Sequence, residues 1–272
     1  MSVKAQPGES RSVTRVMDVL DLFGKVHEQL TLTEISRRLG VPKSSAHALL
    51  QAMRRRGYLA WDPNTKGFSI GLSVVALSQA APVLRTLQQR ARPHMERLAD
   101  GLRETVMLGA IEAESVVCVD TVESPDPIRF AVQLGERRPL HCTSLGKLYL
   151  ASLTDDEVRR ILSGSGLGRE TAGTITVVEE LLEQLREVRR RGTATNKAES
   201  IDGVYAFGVA IAPRPGVPFA GLSVVGVAER MEAKEARVVA QLLEAAGRLS
   251  GELGPTLDMS ASRADPGSER KE

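Results

Sequence analysis

Cysteine, histidine and long apolar runs are all scarce in this chain. Only Cys118 and Cys142 occur among 272 residues. Two cysteines in apolar or mixed segments make neither a disulfide framework nor a zinc-ligand spacing, so both are expected as free, buried thiols. Histidine appears four times with no metal-ligand motif around it, and no cofactor is expected. The apolar runs are far shorter than the roughly 18 residues that would suggest a bilayer span. The N-terminal MSVKAQPGESRS is polar and has no signal-peptide core. These absences point to a cytoplasmic protein without a membrane partner. What is present suffices for real cores: 42% of the residues are hydrophobic, enough for two domains or one large one.

Charge is uneven along the chain. Residues 1–75 carry eleven Lys and Arg against six Asp and Glu, a surplus of five where the whole chain carries only +2, so the remainder is net negative by three. The basic end is where a polyanion would be met. Residues 1–10 and 254–272 are poor in large apolar residues and read as disordered tails.

Within residues 11–75 the pattern predicts a helix-turn-helix with a wing. Val13, Val16, Met17, Leu20 and Phe23 follow helical spacing and predict one dry face ahead of Gly24. TLTE places Thr31 three residues before Glu34, a capping-box pattern, with Gly40 to stop the second helix. Pro42 suits the first turn of a third helix, whose core stripe is Ala46, Leu49, Leu50 and Met53. The opposite side offers Ser44, Ala48, Gln51 and Arg55, with His47 at its border. Small residues, hydroxyls, an amide and a cation on one helical face suit close entry into a major groove. YLAW and GFSI read as two strands around the turn DPNTK. The candidate DNA contacts are Lys43, Ser44, Ser45, His47, Gln51, Arg54 and Arg55 on the third helix and Lys66 on the wing. No aromatic stacking positions lie on this face, which favours duplex DNA over single strands. A three-helix bundle with a merely solvated charged face fits the same pattern.

Residues 76–91 read as a linker helix, bent or restarted near Pro82, with a further helix starting at Pro93. Residues 92–253 mix strands and helices without strict alternation, which predicts an antiparallel sheet flanked by helices, an α+β class. TVMLGAIEA and SVVCVDTVE read as paired strands. Helices are expected over 143–153, 154–162 and 178–191, the last two opening with Thr-x-x-Glu. GVYAFGVAIA and FAGLSVVGVA read as strands around PRPGVP, and a helix over 232–253 closes the domain. His141, Cys142 and Ser144 invite a nucleophile reading, but triads are assembled from distant segments and no partnering acid stands out. GSGLG lacks the spacing of a nucleotide cradle.

The segments SVTRVMDVLDLFG, LTLTEISRRLGVPKSSAHALLQAMRRRGYL, ETVMLGAI, VVCVDTVESPDPIRF, LGERRPLHCTSLGKLYLA and VRRRGTATNKAESIDGVYAFGVAIA resemble, in order and spacing, the isocitrate lyase regulator (IclR) family of bacterial transcription factors. The resemblance runs from about Arg11 to Leu249. It implies an N-terminal winged helix, a linker helix and a C-terminal effector domain like the GAF fold, assembled as dimers or tetramers on palindromic double-stranded operators. It further implies that a small organic acid controls operator affinity, with its carboxylate on the first amides of the helix after PLHCT, those of Ser144 and Leu145. The first turn of a helix carries unpaired N–H groups suited to an anion. The family's other ligand positions fall on Phe130, Arg138, Asn196, Val204, Ala206, Ser223 and Val225. Leu145 is larger than the small residue the family often has there, Val225 replaces a common hydroxyl, Asn196 stands where an acid can occur, and Arg138 is cationic where many members are apolar, departures that speak against a very small effector such as glyoxylate. Arg138 also reads as an outward partner of Glu136. An enzyme with a DNA-binding appendage and a purely architectural DNA-binding dimer are the other function classes this sequence admits.

Overall fold

The computed structural model describes residues 10–26, 28–78, 82–211 and 220–253. Both expected tails, apart from Ser10, and the PRPGVP turn lie outside them. The chain divides into two compact units, Met1–Arg85 and Thr86–Glu272.

The first unit is a winged helix. Helices α1 (Arg11–Lys25), α2 (Leu32–Leu39) and α3 (Lys43–Arg55) accompany a three-stranded sheet of order β1-β3-β2, with β1 Leu30–Thr31, β2 Leu59–Asp62 and β3 Gly67–Ile70. Sequence reasoning missed β1, a two-residue strand that pairs Leu30 with Phe68. The capping box at α2 forms: the Thr31 amide donates to Glu34 Oε2 at 2.8 Å, and the Glu34 amide donates to Thr31 Oγ1 at 3.4 Å. Gly40, at φ +64°, closes the same helix in the left-handed region that a side chain would disfavour. Val19, Phe23, Ile35, Leu50, Met53, Leu59 and Phe68 form the core. The expected dry face of α1 is only partly right, because Val13 and Met17 are 56% and 53% exposed whereas Val19 is fully buried. Apolar residues occur on more than one side of α1, and spacing alone does not say which side the core takes.

Helix α4 (Leu72–Ser78) follows β3, and α5 runs from Pro82 to Leu102. The expectation of a new helix at Pro93 is overturned, since Pro93 lies inside α5. Proline removes one backbone hydrogen bond. Burial of Leu87, Ala91, Met95, Leu98, Ala99 and Leu102 along one stripe of α5 offsets that loss.

The second unit is a six-stranded, wholly antiparallel sheet of order β6-β5-β4-β9-β8-β7. Its strands are β4 Thr105–Glu112, β5 Ser115–Val122, β6 Arg137–Pro139, β7 Thr193–Lys197, β8 Val204–Ile211 and β9 Ala220–Val227. Helices α6 (Ser144–Ala151), α7 (Asp155–Ser165) and α8 (Val178–Arg191) precede β7, while α9 (Ala228–Glu232) and α10 (Glu235–Leu253) end the fold. The closing helix thus comes in two pieces. Thr154 and Glu157 make the expected capping box on α7, but α8 starts from Val177 without a side-chain cap, so the Thr176 pattern is not one.

Strand alternation divides the side chains of this sheet between two environments. Val106, Leu108, Phe207, Val209, Leu222 and Val224 join the core made with α5 and α10. Met107, Ala206, Ser223 and Val225, one residue out of phase, line a cavity instead.

Candidate functional site

In the winged helix, Lys43, Ser44, His47, Arg54 and Arg55 are exposed along α3 and Gln51 is half-buried. His47, Gln51 and Arg54 form a chain on that face: Gln51 Nε2 lies 3.5 Å from His47 Nε2, and Arg54 Nη1 donates to Gln51 Oε1 at 3.5 Å. Ser45 departs from the group. It is half-buried and lines a crevice with Arg15, Asp18 and Ile35. Lys66 is exposed in the β2–β3 turn at φ +52°, and the Asn64 amide donates to Asp62 Oδ1 to shape that turn.

In the second unit, all nine expected effector positions surround a single cavity. Phe130, Arg138, Ser144, Leu145, Asn196, Val204, Ala206, Ser223 and Val225 line it, together with Met107, Val116, Cys118, Val132, Glu136, Thr143, Ser200 and Ile201. The space inside it open to a water-sized molecule is about 60 Å³, below the roughly 300–1,000 Å³ of preformed small-ligand sites, so a ligand of several heavy atoms has to widen it.

The floor is the start of α6. Thr143 is the N-cap, its Oγ1 accepting from the Gly146 amide at 3.3 Å. Among the described residues no acceptor takes the Ser144 or Leu145 amide, as expected for the first turn. Ser144 is buried, and its Oγ lies 3.0 Å from Ser223 Oγ. Ser223 Oγ donates to the Phe207 carbonyl at 3.2 Å. One proton is thereby committed, which leaves Ser144 as the donor of the pair. Glycine allows the approach: a Cβ on Gly208 would stand 2.9 Å from Ser144 Oγ, and one on Gly146 would stand 2.2 Å from the Leu140 carbonyl oxygen.

The end of β7 and the β7–β8 loop supply another part of the lining. Asn196 faces the cavity, but its Oδ1 accepts from the Glu199 amide at 2.8 Å and its Nδ2 donates to Ser200 Oγ at 2.8 Å. It shapes the loop first. A feature that sequence reasoning missed ties this loop to α6. Lys147, fully buried, donates to Glu199 Oε1 at 2.5 Å and to the Thr195 carbonyl at 2.7 Å. Burial lowers the Lys147 pKa and the Glu199 charge opposes that shift. Thr171 and Thr174 hydroxyls donate to the Ala198 and Glu199 carbonyls, both at 2.7 Å. At the mouth, Arg138 Nε and Nη2 donate to Glu136 Oε1 at 2.8 and 2.5 Å. The pairing with Glu136 is real, and both residues still face the cavity.

The nucleophile reading finds no relay. His141 Nε2 donates to the Gly168 carbonyl at 2.9 Å. Burial pushes the Cys142 thiol up to about 12, with Glu170 and Glu199 adding to it. Cys118 is pushed to about 12 in the same way, so the cavity meets a neutral thiol.

Both halves of the chain match one family. Residues 12–63 match the IclR helix-turn-helix domain, and residues 80–251 match the domain described as bacterial transcriptional regulator IclR C-terminal. The chain belongs to the IclR family. It is 33% identical over 250 residues to the HTH-type transcriptional regulator KdgR of Escherichia coli K12, covering 92% of this chain and 95% of that one. To BhcR of Paracoccus denitrificans it is 32% identical over 252 residues, covering 92% and 90%. Among solved structures, an IclR homolog from Microbacterium hydrocarbonoxydans complexed with 4-hydroxybenzoate aligns with TM-score 0.77 at 27% identity, covering 89% of this chain and 98% of that one. These relatives are transcriptional regulators, and this IclR-family chain is a DNA-binding transcriptional regulator rather than an enzyme. Among the described residues no helix is long and apolar enough to cross a membrane.

Proposed function

We propose that this IclR-family regulator binds a palindromic operator as a homo-oligomer in the cytoplasm, and that a small organic acid in the cavity sets its operator affinity. The observation that carries the effector reading is the conjunction of free first-turn amides, a buried donor hydroxyl and apolar walls around one cavity. Backbone N–H groups at a helix start favour an anion. The apolar walls accept the rest of the molecule. The Microbacterium homolog with 4-hydroxybenzoate supports the same reading by likeness.

For DNA, the reading is that α3 enters the major groove with Ser44, His47 and Gln51 at base edges, while Lys43, Arg54, Arg55 and Lys66 meet phosphates. Ser45 is the weakest member of the set because it is turned toward the α1 crevice. Exposed Val13 and Met17 on α1, and Leu72, Val75 and Leu77 on α4, supply apolar surface for self-association.

The test is a thermal-shift screen of small carboxylates on the full chain, followed by a turnover assay on each hit. Stabilisation without turnover, lost in Ser144→Ala, is expected. Turnover of any hit would favour the enzyme reading, and stabilisation by none would remove the effector.

A further inference from the structure

The cavity has few polar groups, and most of them are already engaged. Ser223 gives its proton to Phe207, and Asn196 is spent on the β7–β8 loop. Thr143 Oγ1 donates to the Pro139 carbonyl and accepts from Gly146. What remains for an anion is one cluster at the start of α6: two amides without an acceptor among the described residues, with the Ser144 hydroxyl able to turn to it from Ser223. Among the lining residues Arg138 is the one cation that faces the cavity from the mouth, and Glu136 neutralises it through two N–H donors on one carboxylate oxygen. A second carboxylate arriving at Arg138 would meet the Glu136 charge at close range, where like charges repel. A neutral oxygen would not, since Arg138 keeps further N–H groups and Ser200 keeps its hydroxyl proton. Met107, Val116, Cys118, Val132, Ile201 and Val225 make the rest of the wall apolar, and apolar walls give no partners to a polyhydroxylated chain.

We infer that the cavity selects a monocarboxylate with a largely apolar body, an arene or branched-alkane carboxylic acid, and that Glu136 determines this specificity by cancelling Arg138. The inference rests on the organic-acid reading above. Glu136 is a specificity residue that acts on a second charge and leaves the first carboxylate alone.

The experiment is calorimetric titration of the full chain with benzoate, 3-methylbutanoate, succinate and gluconate. Wild type is expected to bind benzoate or 3-methylbutanoate at least about tenfold more tightly than succinate or gluconate, a difference of about 1.4 kcal/mol. Glu136→Gln frees Arg138 and is expected to raise succinate affinity at least tenfold while changing benzoate affinity less than about threefold. Glu136→Asp keeps the charge and is expected to go on refusing succinate, which separates charge from folding. Succinate or gluconate bound by wild type as tightly as the apolar acids would overturn the inference and leave the organic-acid reading standing. Unchanged succinate affinity in Glu136→Gln would overturn the role of Glu136. If wild type bound none of the four, the organic-acid reading would fall and this inference with it.

Discussion

Ser144 meets three demands at once: it begins α6, it presents an amide with no acceptor among the described residues, and it donates the hydroxyl proton of the Ser144–Ser223 pair, which a bound anion would compete for. The two serines are therefore unequal. Ser144→Ala removes a donor to a charged group, worth about 1.5–3 kcal/mol, and should weaken acid binding about tenfold or more by calorimetry. Ser223→Ala removes only the acceptor that competes for the Ser144 proton, and acid affinity is expected to stay within about threefold of wild type. Gly208→Ala tests position without touching chemistry. Its Cβ would crowd both Ser144 and Leu145, so acid affinity should fall while operator affinity without acid is kept. The thiols give a residue-scale check of burial. With both pKa values raised to about 12, neither Cys118 nor Cys142 forms thiolate between pH 7 and 9 in the native fold. Ellman's reagent at pH 8 should label neither until the chain is denatured, and rapid labelling of native protein would contradict the burial.

At the scale of elements, α6 and the β7–β8 loop both line the cavity, and the buried Lys147–Glu199 pair ties one to the other. Its components are costly alone, because Glu199 Oε2 is buried with no partner among the described residues and Lys147 is fully buried. Lys147→Met strands a buried carboxylate and should destabilise the second unit by about 3–5 kcal/mol, while adding Glu199→Gln should restore most of that loss. Urea unfolding of the single and double variants checks it, and additive losses would mean the pair is not coupled. The burial-lowered pKa of Lys147 also has a sign. The folded state holds its proton less tightly than the unfolded state, so the contribution of this group to stability is smallest below its lowered folded pKa and grows as pH climbs from there to the unfolded value.

Much at this scale is legible in the sequence, and the exceptions have physical causes. Capping boxes at Thr31 and Thr154 are local patterns read without tertiary knowledge. So are the paired strands β4 and β5. The short edge strands β1 and β6 are too brief to show alternation, and Pro93 sits within α5 because packing outweighs its local preference. Nothing local in SLGKLYLA marks Lys147 as buried, because its partners Thr195 and Glu199 come from β7 and the loop after it, about fifty residues on. The cavity lining was legible through family likeness, whereas the engagement of Asn196, the unequal serines and the place of Glu136 depend on partners distant in sequence or on the turn of a loop.

For the whole molecule, the proposed function couples DNA reading in the first unit to acid binding in the second. The apolar residues left outward on α1 and α4 predict self-association: light scattering should give at least a dimer, and Met17→Glu with Leu72→Glu should shift it toward monomer and weaken operator binding. Gln51→Leu should abolish specific binding with the fold intact. Arg54→Ala with Arg55→Ala should weaken binding to all sequences and flatten its salt dependence. A ligand can shift operator affinity only through its preference for one conformation of the regulator. The most direct measurement is therefore fluorescence anisotropy on a selected operator duplex, with and without a saturating acid identified by calorimetry, for wild type and Ser144→Ala. The account predicts that the acid changes wild-type operator Kd by at least about fivefold and leaves Ser144→Ala nearly unmoved at the same concentration. An acid that saturates the cavity and leaves wild-type operator Kd unchanged would contradict it.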